Sequence, residues 1–289
     1  MNLFTNPDLF RYINEYTDLR SLCDTCTLLL TFKKYINYKL NKEYSLMYYD
    51  DMSFRNKVLS KIFNPYKQLH LDLRYCNQIT DVSALGNVHT LNLRHCQNNI
   101  DVSALGNVHT LNLFRCYQIT DVSALGNVYD LDLAYCNITD VSALGKVHNL
   151  NLSWCINIKD VSALGKVHNL NLSGCNITDV SALGKVHTLD LSYCDDIEDV
   201  NALGNVYNLN LSCCNITDVS ALGKVHNLDL SWCKNITGVS ELRNVHTLKL
   251  TQCNITYLEI REAFLLYDAL VLAPPTEPIT FAANALPVS

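Results

Sequence analysis

The sequence lacks three features that would place it in common functional classes. It has no basic surplus, since 22 Lys and Arg residues stand against 28 Asp and Glu residues and leave a net charge of -6. Binding to nucleic-acid phosphates needs a concentrated basic face. No apolar run reaches the roughly 18 residues of a membrane span. The first residues, MNLFTNPDLFRYINEY, have neither the basic start nor the apolar core of a signal peptide. We therefore expect an intracellular, cytoplasmic protein with no nucleic-acid partner and no membrane association.

The dominant feature that is present is a repeat. The stretch ITDVSALGNVHTLNL returns almost unchanged along most of the chain, and its leucine pair, Leu-x-Leu, recurs every 19 or 20 residues. A short constant period is typical of a solenoid, in which each unit buries its apolar face against its neighbours. The first leucine of each pair marks ten repeats: Leu71, Leu91, Leu111, Leu131, Leu150, Leu170, Leu189, Leu209, Leu228 and Leu248.

Each part of the repeat predicts a structural element. The alternation in Leu91-Asn92-Leu93 predicts a short strand with its leucines inward and its polar residue outward. Asp81 before the Val-Ser-Ala-Leu stretch predicts a cap on a single helical turn, and Gly86 after it predicts a position of positive φ. So few residues leave room for a 3₁₀ turn, not for a full helix.

Thirteen cysteines invite comparison with secreted disulfide scaffolds, but ten of them recur once per repeat. They occupy one structural position, so we expect a row of free, buried thiols. The ten are Cys76, Cys96, Cys116, Cys136, Cys155, Cys175, Cys194, Cys214, Cys233 and Cys253.

The pattern Leu-x-x-Leu-x-Leu-x-x-Cys-x-Ile-Thr-Asp resembles the leucine-rich repeat, and Ile-Thr-Asp-Val-Ser-Ala-Leu is similar to the short repeats of bacterial internalins. The near-identical copies also resemble repeat proteins of giant DNA viruses that infect amoebae, which would place the chain in the host cytoplasm. The resemblance implies an α/β solenoid over residues 67–256, with a parallel sheet on the concave side and 3₁₀ turns on the convex side. Residues 257–289 are predicted to form a cap helix (EIREAFLLYDALVLA) and a tail without structure.

Residues 1–66 do not repeat. The stretch NPDLFRYINEYTDLRSLCDTCTLL resembles the F-box, which implies docking on the adaptor of a cullin-type ubiquitin ligase. The docking residues that this resemblance implies are Pro7, Leu9, Ile13, Leu19 and Leu22. The alternative is a helical cap that shields the first repeat, in which case the chain is a free-standing interaction or decoy module.

The repeat varies most at the two residues between the second leucine and the cysteine. We expect them to leave the strands on the concave side, where Tyr, Trp and Arg are typical of protein-binding hot spots. The residues predicted to bind a protein partner are Arg74, Tyr75, Arg94, His95, Phe114, Arg115, Tyr135, Trp154, Tyr193, Trp232 and Gln252. The smallest residue at these positions, Gly174, is expected to leave a gap for a partner side chain.

Two other patterns admit chemical interpretations that we set aside. Asp, Ser and His recur in the repeats, but no nucleophile elbow accompanies them, and capping accounts for Asp and Ser. One His per repeat gives a parallel row, whereas metal ligands must converge on a point. Because Tyr129 and Tyr207 fill the same slot, a stacked ring row is the better interpretation. We expect a monomer without catalytic activity, metal or cofactor.

Overall fold

The computed structural model describes residues 37–61 and 68–255, and the backbone of residues 280–282. One sheet of twelve strands runs through these residues in strict chain order. Strands β1 to β11 are parallel, and β12 pairs antiparallel with β11. The strands are β1 Tyr38–Lys39, β2 Leu69–Asp72, β3 Thr90–Asn92, β4 Thr110–Asn112, β5 Asp130–Asp132, β6 Asn149–Asn151, β7 Asn169–Asn171, β8 Thr188–Asp190, β9 Asn208–Asn210, β10 Asn227–Asp229, β11 Thr247–Lys249 and β12 Thr280–Ala282.

Strands β2 to β11 carry the ten predicted repeats, which we call rungs 1 to 10. Equivalent leucines pair across the rungs, as Leu71 does with Leu91 and Leu91 with Leu111. The leucines are buried, together with most of the Ile, Val and Leu residues that come from the opposite wall, and Ile236 and Val239 are partly buried. The predicted leucine-rich repeat solenoid is thus confirmed, with a single continuous core along its length.

A 3₁₀ turn faces the sheet in each of nine rungs, as the repeat predicted. The turns are Ser83–Leu85, Ser103–Leu105, Ser123–Asn127, Ser142–Leu144, Ser162–Leu164, Ser181–Leu183, Asn201–Asn205, Ser220–Leu222 and Val239–Asn244. The carboxylate of Asp81 accepts a hydrogen bond from the backbone N–H of Ser83 at 2.8 Å, and the equivalent aspartates repeat this bond in the next seven rungs. The predicted hydrogen bond between the aspartate and the start of the turn is thus present, but its acceptor belongs to the residue before the N-cap position, and the N-cap of the first turn is Val82.

The prediction that the glycine after the turn takes a positive φ is wrong. Gly86 has a φ of -65° and Gly145 a φ of -63°, both in the ordinary helical region. A Cβ at either position would collide with the carbonyl oxygen of the alanine in the next rung, Ala104 or Ala163. Glycine is therefore needed for the close approach of neighbouring turns, not for its conformational freedom.

The repeated cysteines are free, and in rungs 1 to 9 they are buried. Each thiol from Cys96 onward donates to the carbonyl of the second leucine in the preceding rung, as Cys155 Sγ does to Leu133 at 3.1 Å. Burial raises the pKa of Cys116 and Cys155 to about 12. The thiols thus connect neighbouring rungs as weak donors, in agreement with the prediction of an unoxidised interior row.

The N-terminal edge of the sheet is covered by residues 37–61. Here β1 is followed by helices α1, Lys42–Asp50, and α2, Met52–Lys61. The buried Ser45 hydroxyl of α1 accepts a hydrogen bond from the backbone N–H of Asp72 in the first rung at 2.9 Å. The strand was not predicted, because a two-residue segment outside the repeat carries no periodic signal. The packing of Ser45 and of the fully buried Tyr48 shows that this part of residues 1–66 caps the first rung.

At the other end, β12 pairs with β11 and covers the last strand. Its three residues belong to the tail that the sequence predicted to be without structure. An uncovered edge strand exposes unpaired backbone N–H and C=O groups, and pairing satisfies them. The predicted cap helix after residue 256 lies outside the described residues.

Candidate functional site

The candidate site begins where each strand ends. After the second leucine and one further residue, the chain adopts the left-handed conformation, with φ between 57° and 68° in all ten rungs. We call these ten positions the αL column. Its members are Tyr75, His95, Arg115, Tyr135, Trp154, Gly174, Tyr193, Cys213, Trp232 and Gln252.

Two sets of hydrogen bonds hold the αL column. The backbone N–H of each member but the last donates to a carbonyl of the next rung, as Trp154 does to Ser173 at 2.7 Å. The outward strand residue of the same rung also fixes the approach to the turn, because Asn151 Oδ1 accepts from the backbone N–H of Ser153. The column is therefore positioned by the sheet itself.

Most residues of the αL column are strained by its backbone conformation. A non-glycine residue in the left-handed region is destabilised by about 1 kcal/mol or more, whereas glycine is not. Gly174 is the one glycine of the column, and the other nine members carry side chains. The sequence analysis missed this conformation, although the absence of any Val, Ile or Thr from the column was a usable signal, since such residues are rarely tolerated there.

The large members of the column are exposed. The exposed fractions are 57% for Tyr75, 42% for Trp154, 55% for Tyr193 and 52% for Trp232. Gln252 is exposed too, and His95, Arg115 and Tyr135 are half-buried. The adjacent predicted residues are Arg74, which is exposed, and Arg94 and Phe114, which are half-buried. The structure thus brings all eleven predicted partner-binding residues to the carboxyl-terminal ends of the strands, which form one long edge of the sheet across the rungs.

The aromatic side chains along this edge contact one another. Ring centroids are 4.7 Å apart for Tyr75 and His95, 5.9 Å for Tyr135 and Trp154, and 6.2 Å for Trp154 and Tyr193. Phe114 joins the two groups through edge contacts of 5.5 Å to His95 and to Tyr135. A nearly continuous aromatic surface therefore runs from rung 1 to rung 7.

The prediction of an open gap at Gly174 is wrong. The indole of Trp154 covers this position, because a Cβ at Gly174 would lie 2.6 to 2.9 Å from three indole carbons. Gly174 is buried, and its missing side chain accommodates Trp154. The glycine thus lets the indole extend toward Tyr193.

The histidine row lies at the opposite, N-terminal end of the strands. It forms the predicted row and extends it to His70, with neighbouring centroids 4.5 to 5.3 Å apart. Seven of the nine neighbouring pairs are stacked, whereas His168 is tilted against His148 and edge-on to His187. The rings are His70, His89, His109, Tyr129, His148, His168, His187, Tyr207, His226 and His246. Burial, then the neighbouring His109 and His70, lowers the pKa of His89. Among the described residues no group of three or more His, Cys, Asp or Glu side chains is placed to hold a metal ion.

The residues predicted to dock on a ligase adaptor, Pro7, Leu9, Ile13, Leu19 and Leu22, lie outside the described residues. In the part that is described, no helix is long and apolar enough to cross a membrane.

Comparison with known proteins agrees with this architecture. A family model described as Leucine Rich repeat matches residues 166–184 and 208–222. The chain therefore contains leucine-rich repeats, and its fold is the open, parallel solenoid of that class. A comparison with curated protein sequences found no significant match.

Among solved structures, an internalin (InlF) of Listeria monocytogenes aligns with a TM-score of 0.52 and 25% identity over 63% of this chain. A leucine-rich repeat protein of Leptospira interrogans aligns with a TM-score of 0.46 and 19% identity over 64% of this chain. The mouse RP105/MD-1 complex aligns with a TM-score of 0.49 and 20% identity over 65%. The matched region spans 60% of the internalin, 60% of the Leptospira protein and 38% of the mouse chain. The likeness to the internalin is one of fold.

Proposed function

We propose that this protein is a non-catalytic binding solenoid that recruits a protein partner through the αL column. One observation carries the proposal. The chain holds large aromatic side chains, four of them more than 40% exposed to solvent, at left-handed backbone positions that glycine would adopt without strain. Observed backbone strain of this kind clusters at functional sites.

The chemistry of the edge also fits a protein ligand. Exposed Tyr, Trp and Arg side chains dominate protein-binding hot spots, and extended solenoid surfaces commonly serve for binding. Leucine-rich repeat folds are typically non-enzymatic scaffolds for protein interactions. The buried free thiols fit a reducing compartment, in line with the expected cytoplasmic location.

The test compares capture of a partner by the full chain and by two pairs of variants. Trp154→Ala and Trp232→Ala each remove an exposed ring from the αL column. Tyr129→Ala and Tyr207→Ala are matched controls, because these rings are 44% exposed but belong to the histidine row. A partner purified with the wild-type chain should lose affinity for the tryptophan variants by about thirtyfold. Equal binding by all four variants would refute the proposal.

The finer proposal is that the chain is a substrate receptor of a cullin-type ubiquitin ligase, and it rests on the F-box-like sequence alone. Changing Leu9 and Ile13 to Asp should abolish retention of the ligase adaptor while the solenoid keeps its melting temperature. If the wild-type chain fails to retain the adaptor, residues 1–36 have another role. The described cap formed by residues 37–61 is compatible with the alternative, a free-standing interaction or decoy module.

A further inference from the structure

A cluster of two arginines and a phenylalanine occupies rungs 2 and 3 at the same edge. The guanidinium carbon of Arg94 lies 4.2 Å from the centroid of Phe114, and that of Arg115 lies 5.2 Å from it. Arg115 also lies 4.9 Å from the centroid of Tyr135. We call Arg94, Phe114 and Arg115 the arginine cluster.

Neither arginine in this cluster has an acidic partner within the described residues. The ion pairs found there join Arg74 to Asp72 at 2.8 Å and Lys249 to Asp229 at 3.1 Å. The Nε atoms of Arg94 and Arg115 are buried and have no hydrogen-bond acceptor in the described part of the chain. Leaving a buried guanidinium N–H without an acceptor is unfavourable, so a carboxylate that reached either arginine would satisfy a donor that the described residues leave unpaired.

The charge of Arg94 acts on the carboxyl group of Asp132, but no ion pair within the described residues joins the two side chains. Burial has the larger effect on Asp132 and raises the pKa of its carboxyl group. Its two carboxylate oxygens accept hydrogen bonds from the side-chain amides of Asn112 and Asn151 and from the backbone N–H of Ala134. Burial and then the charges of Arg94 and Arg115 lower the pKa of His95, which marks the spot as locally positive.

We propose that Arg94 and Arg115 bind the carboxylate of an acidic segment of the protein partner, beside the ring of Phe114. The inference rests on the proposed function and names the partner's chemistry at one end of the αL column. A planar guanidinium presents N–H groups that match a carboxylate, and an aromatic neighbour keeps the guanidinium oriented. The chain's net charge of -6 disfavours the binding of acidic segments in general, so a locally positive spot would direct such a segment to this one place.

The geometry also sets a spacing for the partner. Trp154 stands two rungs beyond Arg115, and rungs separated by a strand spacing of about 4.8 Å place these positions roughly 10 Å apart. An extended peptide covers that distance in about three residues. The partner segment would thus carry an acidic residue and, about three positions away, an apolar residue that reaches Trp154.

The test uses a fluorescent hexaglutamate peptide with blocked ends as the probe and the full chain as the receptor. Binding by fluorescence anisotropy at low salt should weaken at least tenfold in the double variant R94Q/R115Q. The matched control is K146Q/K166Q, which removes the same number of positive charges from exposed lysines that lie outside the predicted partner-binding residues. That control should change affinity less than twofold. The variant R94K/R115K, which keeps the charges without the planar fork, should also bind more weakly than the wild type.

The outcomes separate this inference from the proposed function. No binding of hexaglutamate to the wild type, or equal losses in K146Q/K166Q and R94Q/R115Q at unchanged melting temperature, would overturn the inference. If R94Q/R115Q has a lowered melting temperature, the deciding measurement is hexaglutamate binding by R94K/R115K. Unaltered binding by R94K/R115K would overturn the proposed role of the planar guanidinium groups. Trp154→Ala should keep hexaglutamate binding and lose the protein partner. Retention of the partner by Trp154→Ala would count against the proposed function alone.

Discussion

The indole of Trp154 lies directly over Gly174, so that the rung with no side chain in the αL column is covered by the side chain of the rung before it. The two residues form one unit of the aromatic surface. Tyr135 stacks on one side of the indole, and Tyr193 is in tilted contact with it.

Replacing Gly174 with Ala should therefore destabilise the fold and displace the indole. The added methyl group meets the ring, and the φ of 68° is strained for alanine, so we expect a loss of about 1 to 2 kcal/mol in the free energy of unfolding. Trp154→Ala alone should cost about 1 kcal/mol or less, since the indole is exposed. The double variant should be more stable than the sum of the single effects predicts, because no ring remains to clash. Additive losses in urea unfolding would show that the two residues do not interact.

The glycine after the 3₁₀ turn can be tested by replacing it with alanine, because two physical effects predict opposite signs for the change in the free energy of unfolding. Gly145 has a φ of -63°, which alanine tolerates, so conformational entropy alone would make Gly145→Ala stabilising by about 0.4 to 1 kcal/mol. Because the Ala163 carbonyl occupies the place of the new methyl group, we expect instead a destabilisation of about 1 to 3 kcal/mol. Lys146→Ala, at the exposed neighbouring residue, should shift stability by no more than about 0.5 kcal/mol. A rise in the urea midpoint of Gly145→Ala would contradict the close packing.

His89 should make stability depend on pH near neutrality. His89 has a lowered pKa in the folded chain, through burial and its histidine neighbours. Its contribution to stability is therefore full above the unfolded pKa of 6.5, and it is lost as the pH falls through that value toward the folded pKa. His89→Tyr, which copies Tyr129 and Tyr207, should flatten the loss of stability between pH 7 and about pH 5. Thermal melting across that range measures it, and an unchanged slope would mean that the ring is too well solvated to matter.

The thiols should react slowly in the folded protein. The thiolate is the reactive form, and burial raises the pKa of Cys175 and Cys194 to about 12. Alkylation at pH 8 followed by mass spectrometry should label Cys213, which is half-buried, before either of them. A separate sample, denatured without reductant and not alkylated beforehand, should expose all thirteen thiols. A substantial deficit would reveal disulfides and would place the protein in an oxidising compartment.

The repeat determined most of the fold in advance, because a fixed period leaves one way to stack the leucines and cysteines. The 3₁₀ turns and the aspartate hydrogen bonds followed from segment length and from the chemistry of Asp81 and its copies. The role of Gly86 could not be predicted, because the residues of one repeat do not show how closely its backbone approaches that of the next rung. The left-handed turn at Trp154 and the covering of Gly174 were missed for a related reason. Both depend on contacts between rungs, whereas sequence periodicity reports only which position a residue occupies.

The closeness of the turns at Gly145 and Ala163 and the thiol bonds to the preceding rung have an evolutionary consequence. Every internal rung offers its neighbours nearly the same contacts, while residues 37–61 and β12 close the two ends. One repeat could thus be duplicated or deleted without creating a new kind of interface. The binding edge can lengthen or shorten by a single side chain at a time, and a recombination event between near-identical repeats would suffice to change what the protein recognises.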